Sequence, residues 1–302
     1  KESPNRRSRF KLHLILPSLD SIAHHPVVVT AVQEALQTKD VALWSSDINW
    51  KPPQSLGYFA PHQDATYAGL SPPSKCVTAW VALSDPVGID QGCLAFYPRS
   101  HIFGQLTHVE TKSRSRDSSG NDDHHTDENN HNMLSLGQYI PEKVLQQTLT
   151  TTGNETNQTD ETKPSATSTV RVSPVPVPLR AGQMTLHSFY TVHASGPNNS
   201  KTMPRIGLAL RYIDASCVVQ TKQQHKQHKR EMVTWISSSS SSPTASSPPN
   251  NDNHLYFDWE PRLPSHPTLQ DMEHGRQIRN EAMEREDANY FQINTSTQTQ
   301  QY

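Results

Sequence analysis

Apolar residues alternate with polar ones, or run in short blocks, over 41–44, 77–83, 93–97, 184–189 and 206–213. That period sends successive side chains to opposite faces of an extended chain and predicts β-strands. Gly88, Gly92, Gly182 and Gly196 fall between the blocks, where turns are needed. One stretch has a helical period. Val27, Val28, Ala31, Val32, Ala35 and Leu36 line one side of a helix predicted over 26–38, with Pro26 in its first turn. Many short strands with turn punctuation predict a barrel or a sandwich, a mainly β fold with flanking helices.

Two stretches break the pattern. Residues 111–173 are rich in Ser, Asp, His, Asn and Thr, and 220–253 carries a Lys/Gln/His run followed by six serines, Ser237 to Ser242. Neither can bury enough apolar surface to offset the entropy of ordering, so both read as disordered loop insertions. An apolar island at 133–149 predicts a short helix inside the first. After the second, Leu255-Tyr256-Phe257-Asp258-Trp259 forms an aromatic patch expected to dock on the domain. A charged helix is predicted over 268–289, with Leu269, Met272, Ile278 and Met283 as its apolar positions. It reads as a packing helix, with dimerisation as the alternative, so the expected state is a monomer or a homodimer. The expected organisation is a domain over 10–215, a low-complexity linker over 220–253 and a C-terminal segment over 254–291.

Composition removes several function classes. Net charge is −2 over 302 residues, which gives no basic surface for nucleic acid. No apolar run approaches the ~20 residues of a membrane span. Cys76, Cys93 and Cys217 have no paired spacing, which suits free thiols in a reducing compartment and a cytoplasmic location. The first residue is Lys1, so an organellar signal ahead of it stays open, and Gln300-Gln301-Tyr302 is not a peroxisomal address. No Gly-x-Ser-x-Gly, phosphate-binding loop or dinucleotide fingerprint supports acyl, phosphoryl or hydride transfer.

The chemistry concentrates in His62-Gln63-Asp64, with His193 and Arg205 far downstream. Two imidazoles and one carboxylate suit one face of an Fe(II) ion and leave the other face open. At the end of a strand, residues two apart point to one side, so His62 and Asp64 can reach one metal. The third ligand, His193, would come from a neighbouring strand. Arg205 opens the alternating block 206–213 and could grip a carboxylate through parallel hydrogen bonds. A lone His-x-Asp is a weak signal, and its bland reading is a satisfied core histidine; the clamp downstream favours the metal. Asp122-Asp123-His124-His125 with His131 reads as a solvated loop rather than a second metal site. Residues 222–230 read as a tether rather than a phosphate site. The Asn154 and Asn157 sequons matter only in a secreted chain.

Around these residues the chain resembles the phytanoyl-CoA dioxygenase family from about Phe10 to Tyr212. The matching segments are Trp44-Ser45-Ser46, Lys51-Pro52-Pro53, His62 to Tyr67, Thr78-Ala79-Trp80, Gly92-Cys93-Leu94 with Pro98 to His101, Ala181-Gly182-Gln183 and His193 to Asn198. The resemblance implies a double-stranded β-helix, the cupin-like jelly roll. It implies His62, Asp64 and His193 as iron ligands, and Arg205, Ser195, Lys51 and Trp80 around 2-oxoglutarate. Gln63 is implied on the substrate side, and Tyr67 lies where it could line the substrate mouth or be plain core. The segment from His193 to Arg205 is one residue longer than in the human peroxisomal member, which keeps Arg211 as a second candidate clamp. Family halogenases replace the carboxylate ligand by a small residue; Asp64 is present here, which implies hydroxylation. The resemblance thus implies an enzyme taking Fe(II), 2-oxoglutarate, O2 and a small-molecule substrate, and releasing succinate and CO2. The competing reading is a jelly-roll binding or regulatory protein without turnover.

Overall fold

The computed structural model describes residues 9–110, 113–116, 122–125, 131–134, 137–153, 168–219, 231–236, 257–260 and 268–297. The 222–230 run and the Asn154 and Asn157 sequons lie outside the described residues, as do the side chains of Asp122 to His125 and of Tyr67.

Two antiparallel sheets face each other. The larger runs in the order Met184–Ser188, Cys76–Ala82, Arg205–Asp214, Val41–Lys51, Glu231–Ile236, Phe257–Glu260. The smaller runs Val175–Val177, Leu94–Phe96, His193–Ser195, Phe59–His62. Consecutive strands alternate between the sheets through most of the chain, which is the jelly roll that the short-strand pattern and the resemblance predict.

Side-chain parity divides the larger sheet into an outer and an inner face. Val77, Ala79, Val81, Leu208, Leu210 and Tyr212 point outward and form one buried cluster with Leu19, Ala23, Val28, Val29 and Val32. Those last five come from two short helices, Pro17–Ala23 and Pro26–Leu36. Both begin with proline at the first turn, where its missing N–H costs nothing. The first of them, too short to show a helical period, was not predicted. The Tyr212 hydroxyl donates to Ala23 O at 2.7 Å and ties helix to sheet. The alternate residues, Thr78, Trp80, Ala209 and Arg211, point inward and, with Asn49, line the cavity between the sheets.

The two interrupted stretches contribute more structure than their composition suggests. In the first, a helix at Glu142–Thr148 lies within the predicted island, and Ile140, Leu145 and Leu149 are buried with Tyr97, Leu106 and Val192. In the second, Glu231–Ile236 pairs with Val41–Leu43 and carries Phe257–Glu260 beside it in parallel. The aromatic patch thus joins the sheet. The C-terminal helix, Leu269–Thr297, packs Ile278 and Ala282 on Phe10 and Leu14.

Candidate metal centre and its carboxylate pocket

Strand pairing brings the ligands together. His193 lies directly opposite His62 in the smaller sheet, and the two rings are 4.2 Å apart between centroids. The strand that carries His62 ends there; by Asp64 the backbone has turned to helical geometry, φ −62° and ψ −29°. Asp64 therefore reaches the site from the first turn of a short helix, Ala65–Ala68, rather than from strand parity. His62, Asp64 and His193 each bring a ligand atom within 4.8 Å of the others and are buried, the one such group among the described residues.

The second contacts of each ligand fit a metal. Nδ1–H of His62 can donate to Ala60 O at 2.8 Å, and Nδ1–H of His193 to Thr191 O at 3.0 Å. These bonds select the tautomer that leaves Nε2 as a lone-pair ligand. Burial lowers the pKa of both imidazoles, which keeps them neutral. Burial alone would push Asp64 up. Arg211, backed by the surrounding histidines, more than offsets this and holds the carboxyl well below the usual carboxylate range. Thr78 Oγ donates to Asp64 Oδ2 at 2.5 Å, and Arg211 Nε lies 3.6 Å from the same oxygen. Arg211 also binds Asp47 and Ser45. Its partners are thus the metal-side carboxylate and its neighbours. Arg211, the second candidate clamp, has the opposite parity to Leu208 and Leu210 and points inward.

Beside the triad lies a cationic pocket. Arg205 is fully buried, and its Nε and Nη1 have no hydrogen-bond partner among the described residues. Its Nη2 donates to Ser195 Oγ at 3.0 Å, and its guanidinium stands 4.9 Å over the Trp80 ring. Lys51 Nζ contacts Ser195 Oγ, Ser195 O and Gly196 O. Burial, then the nearby Arg205, pushes the Lys51 pKa down to about 5; burial brings Arg205 to about 10. Two buried N–H groups of a guanidinium without acceptors are costly, and a bidentate carboxylate satisfies both at once. Trp80 is held by its Nε1–H, which donates to Asn49 Oδ1 at 3.0 Å. Asn198 fixes the loop that follows Ser195 by donating to Lys51 O, Pro52 O and Met203 O.

Gln63 is fully buried with its amide engaged throughout. Nε2 donates to Gly104 O and Tyr190 O, and Oε1 accepts from Leu106 N. Three residues that sequence reasoning did not single out belong to the site. Thr78 supports Asp64, His108 accepts from the Gln63 N–H at 3.0 Å, and His187 lines the cavity beside Asp64 and His193. Burial lowers His108 to about 4, so it stays neutral and can accept that bond.

The sequence model of the family described as "Phytanoyl-CoA dioxygenase (PhyH)" matches residues 2–207. A mouse protein named "Phytanoyl-CoA dioxygenase domain-containing protein 1" is 36% identical over 93 residues, which is 31% of this chain and 31% of that protein. Its zebrafish counterpart is 34% identical over 104 residues, 34% of this chain and 35% of that protein. The aligned stretch spans about a third of these relatives. Among solved structures, "non-heme monooxygenase; ThoJ apo" superposes with a TM-score of 0.63 at 22% identity, over 99% of this chain and 85% of that one. Its Ni complex gives 0.59 at 20% identity, over 96% and 83%. These structures establish the shared jelly roll. The triad and its tautomer-fixing carbonyls fit Fe(II), and the unpaired guanidinium edge fits the far carboxylate of 2-oxoglutarate. With a family model over two-thirds of its length and a site of that form, the chain belongs to the phytanoyl-CoA dioxygenase family.

Proposed function

We propose that this protein is an Fe(II)- and 2-oxoglutarate-dependent dioxygenase that hydroxylates an aliphatic carbon of a small-molecule metabolite, with succinate and CO2 as co-products. The observation that carries the reading is the buried edge of Arg205, Nε and Nη1 without a partner among the described residues, beside a buried His/Asp/His triad. Bound iron, with 2-oxoglutarate and O2, supplies the oxidising power for attack on an unactivated C–H bond.

The chain supplies position, charge and dryness. His62 and His193 present Nε2 because their Nδ1–H groups are committed to Ala60 O and Thr191 O. Asp64 stays ionised beside Arg211 and completes the ligand face. Arg205 would grip the distal carboxylate of 2-oxoglutarate, with Lys51 close to Ser195 adding a second cation. Trp80 would wall this pocket on the guanidinium side. Leu94, Phe59 and Leu134 line the cavity and limit water around the reacting carbon.

Arg205→Ala tests the reading. Loss of a charge-assisted pair should raise the dissociation constant for 2-oxoglutarate by ~10- to 100-fold. Iron binding, followed separately, should hardly change. Unaltered 2-oxoglutarate affinity in a folded variant rejects the assignment. Wild-type protein that binds both groups yet releases no succinate with any candidate substrate would instead be a silent jelly roll.

A further inference from the structure

His187 lies on Met184–Ser188, the edge strand of the larger sheet, in register with Thr78. It is 7% exposed, yet neither ring nitrogen has a hydrogen-bond partner among the described residues. Its ring is wedged between Phe96 and His193, with centroids 5.0 and 4.6 Å away. Nε2 stands 3.8 Å from Asp64 Oδ2, beyond hydrogen-bond distance. Thr185, two residues earlier, repeats the pattern: its Oγ1 is buried and unpaired. Strand alternation puts Thr185 and His187 on one face, spaced about 7 Å apart. Two unmatched polar side chains on one buried face are costly to leave so.

Both residues line an opening. The outer strands Val175–Val177 and Met184–Ser188 stand at the free edges of the two sheets, and a cavity of ≈ 470 Å³ lies at this seam. Phe96, Val177, Thr185, His187 and Thr191 line it, and His187 also lines the cavity of the metal triad. The volume suits a small organic molecule, and the walls are part apolar and part polar, with His101 and Ser188 adding to the polar side chains. A neutral imidazole carries one donor and one acceptor, as does a threonine hydroxyl. An alcohol hydroxyl donates and accepts, so it can serve a ring nitrogen and the threonine hydroxyl alike.

We propose that His187 determines substrate specificity by hydrogen-bonding a hydroxyl group of an alcohol whose apolar skeleton occupies the seam cavity, with Thr185 as the second polar contact. This rests on the oxygenase reading and narrows its substrate to a hydroxylated small molecule. Water has the same hydrogen-bonding chemistry and is the rival occupant.

The experiment uses the wild-type chain, His187→Phe, which keeps a ring against Phe96 and His193, and His187→Gln, which keeps a donor and an acceptor. Anaerobic Fe(II) and 2-oxoglutarate are added first, and the visible absorbance of their chelate is recorded. All three proteins should show it; a wild type without it overturns the oxygenase reading and this inference with it. Succinate release is then measured with a panel of alicyclic alcohols, each beside its methyl ether and its deoxy partner. The expected result is a kcat/KM for the best alcohol ~10-fold above its ether in the wild type, carried mainly by KM. That preference should fall to near unity in His187→Phe and return in part in His187→Gln. Equal stimulation by alcohol and ether, or a preference that survives in His187→Phe, overturns the proposal. So does a panel in which no alcohol stimulates a protein that forms the chelate: His187 then binds water, and the oxygenase reading stands alone.

Discussion

Lys51 is a side chain whose charge depends on its burial and on what sits beside it. Its pKa of about 5 reflects burial and Arg205, against an ordinary value of 10.5. Between those values the folded chain holds a neutral amine where the unfolded chain holds an ammonium. Folding therefore releases a proton, and this residue's contribution to stability improves as pH rises through the window. Arrival of a dianion reverses the balance and favours the ammonium. Binding of 2-oxoglutarate near neutral pH should take up close to one proton, read as a buffer-dependent enthalpy in calorimetry. An enthalpy independent of buffer would mean that Lys51 is already charged. Asp64 gives a second prediction at this scale. Thr78→Val and Arg211→Met both remove support from its carboxylate while leaving the ligands in place. Each should weaken metal binding by ~10- to 100-fold, as loss of outer contacts to a ligand does. Titration with Mn(II) followed by electron paramagnetic resonance measures it, and an affinity equal to that of the wild type would exclude a supporting role.

At the scale of elements, the strands were readable because apolar residues alternate or run in short blocks between turn residues, and the helix from Pro26 because its stripe repeats at helical spacing. The metal ligands were readable because residue type and order carry them. What was not readable is which face of a strand meets which chemistry. Cys76–Ala82 is buried along its whole length, so parity alone does not say that Thr78 and Trp80 look inward. His187 was missed for a related reason: nothing in its neighbourhood distinguishes an inner from an outer position until the sheet is assembled. Gly207 shows the same dependence on partners. It sits in mid-strand, where glycine is a poor choice, and a Cβ there would meet the Trp80 ring at 1.8 Å. Gly207→Ala should displace the indole from under Arg205. The expected result is a rise in the 2-oxoglutarate dissociation constant with metal affinity little changed, and a shift in tryptophan fluorescence. Unchanged fluorescence and affinity would mean that the strand yields instead.

For the whole molecule, the paired strands inside the first interrupted stretch bear on tolerance to changes of length. Ser113–Arg116 pairs with Asp122–His125, and Thr150–Gly153 with Ser168–Arg171. Each pair brings the chain back to where it departed, so the length between the paired strands adds little closure cost. Replacing 154–167 by a short Gly/Ser turn should leave metal affinity and the melting temperature within a few degrees of the intact chain. A large loss in either would assign that stretch a part in the fold.

The cross-strand pairing of His62 with His193 has a consequence outside catalysis. The two residues lie far apart in sequence, and an ion shared between them would fasten their strands together. Iron is then a clasp on the smaller sheet as well as a reagent, and any ion that binds only the folded chain raises stability by mass action. A cell short of iron would hold less of this protein because more of it opens and is degraded, before any question of turnover arises.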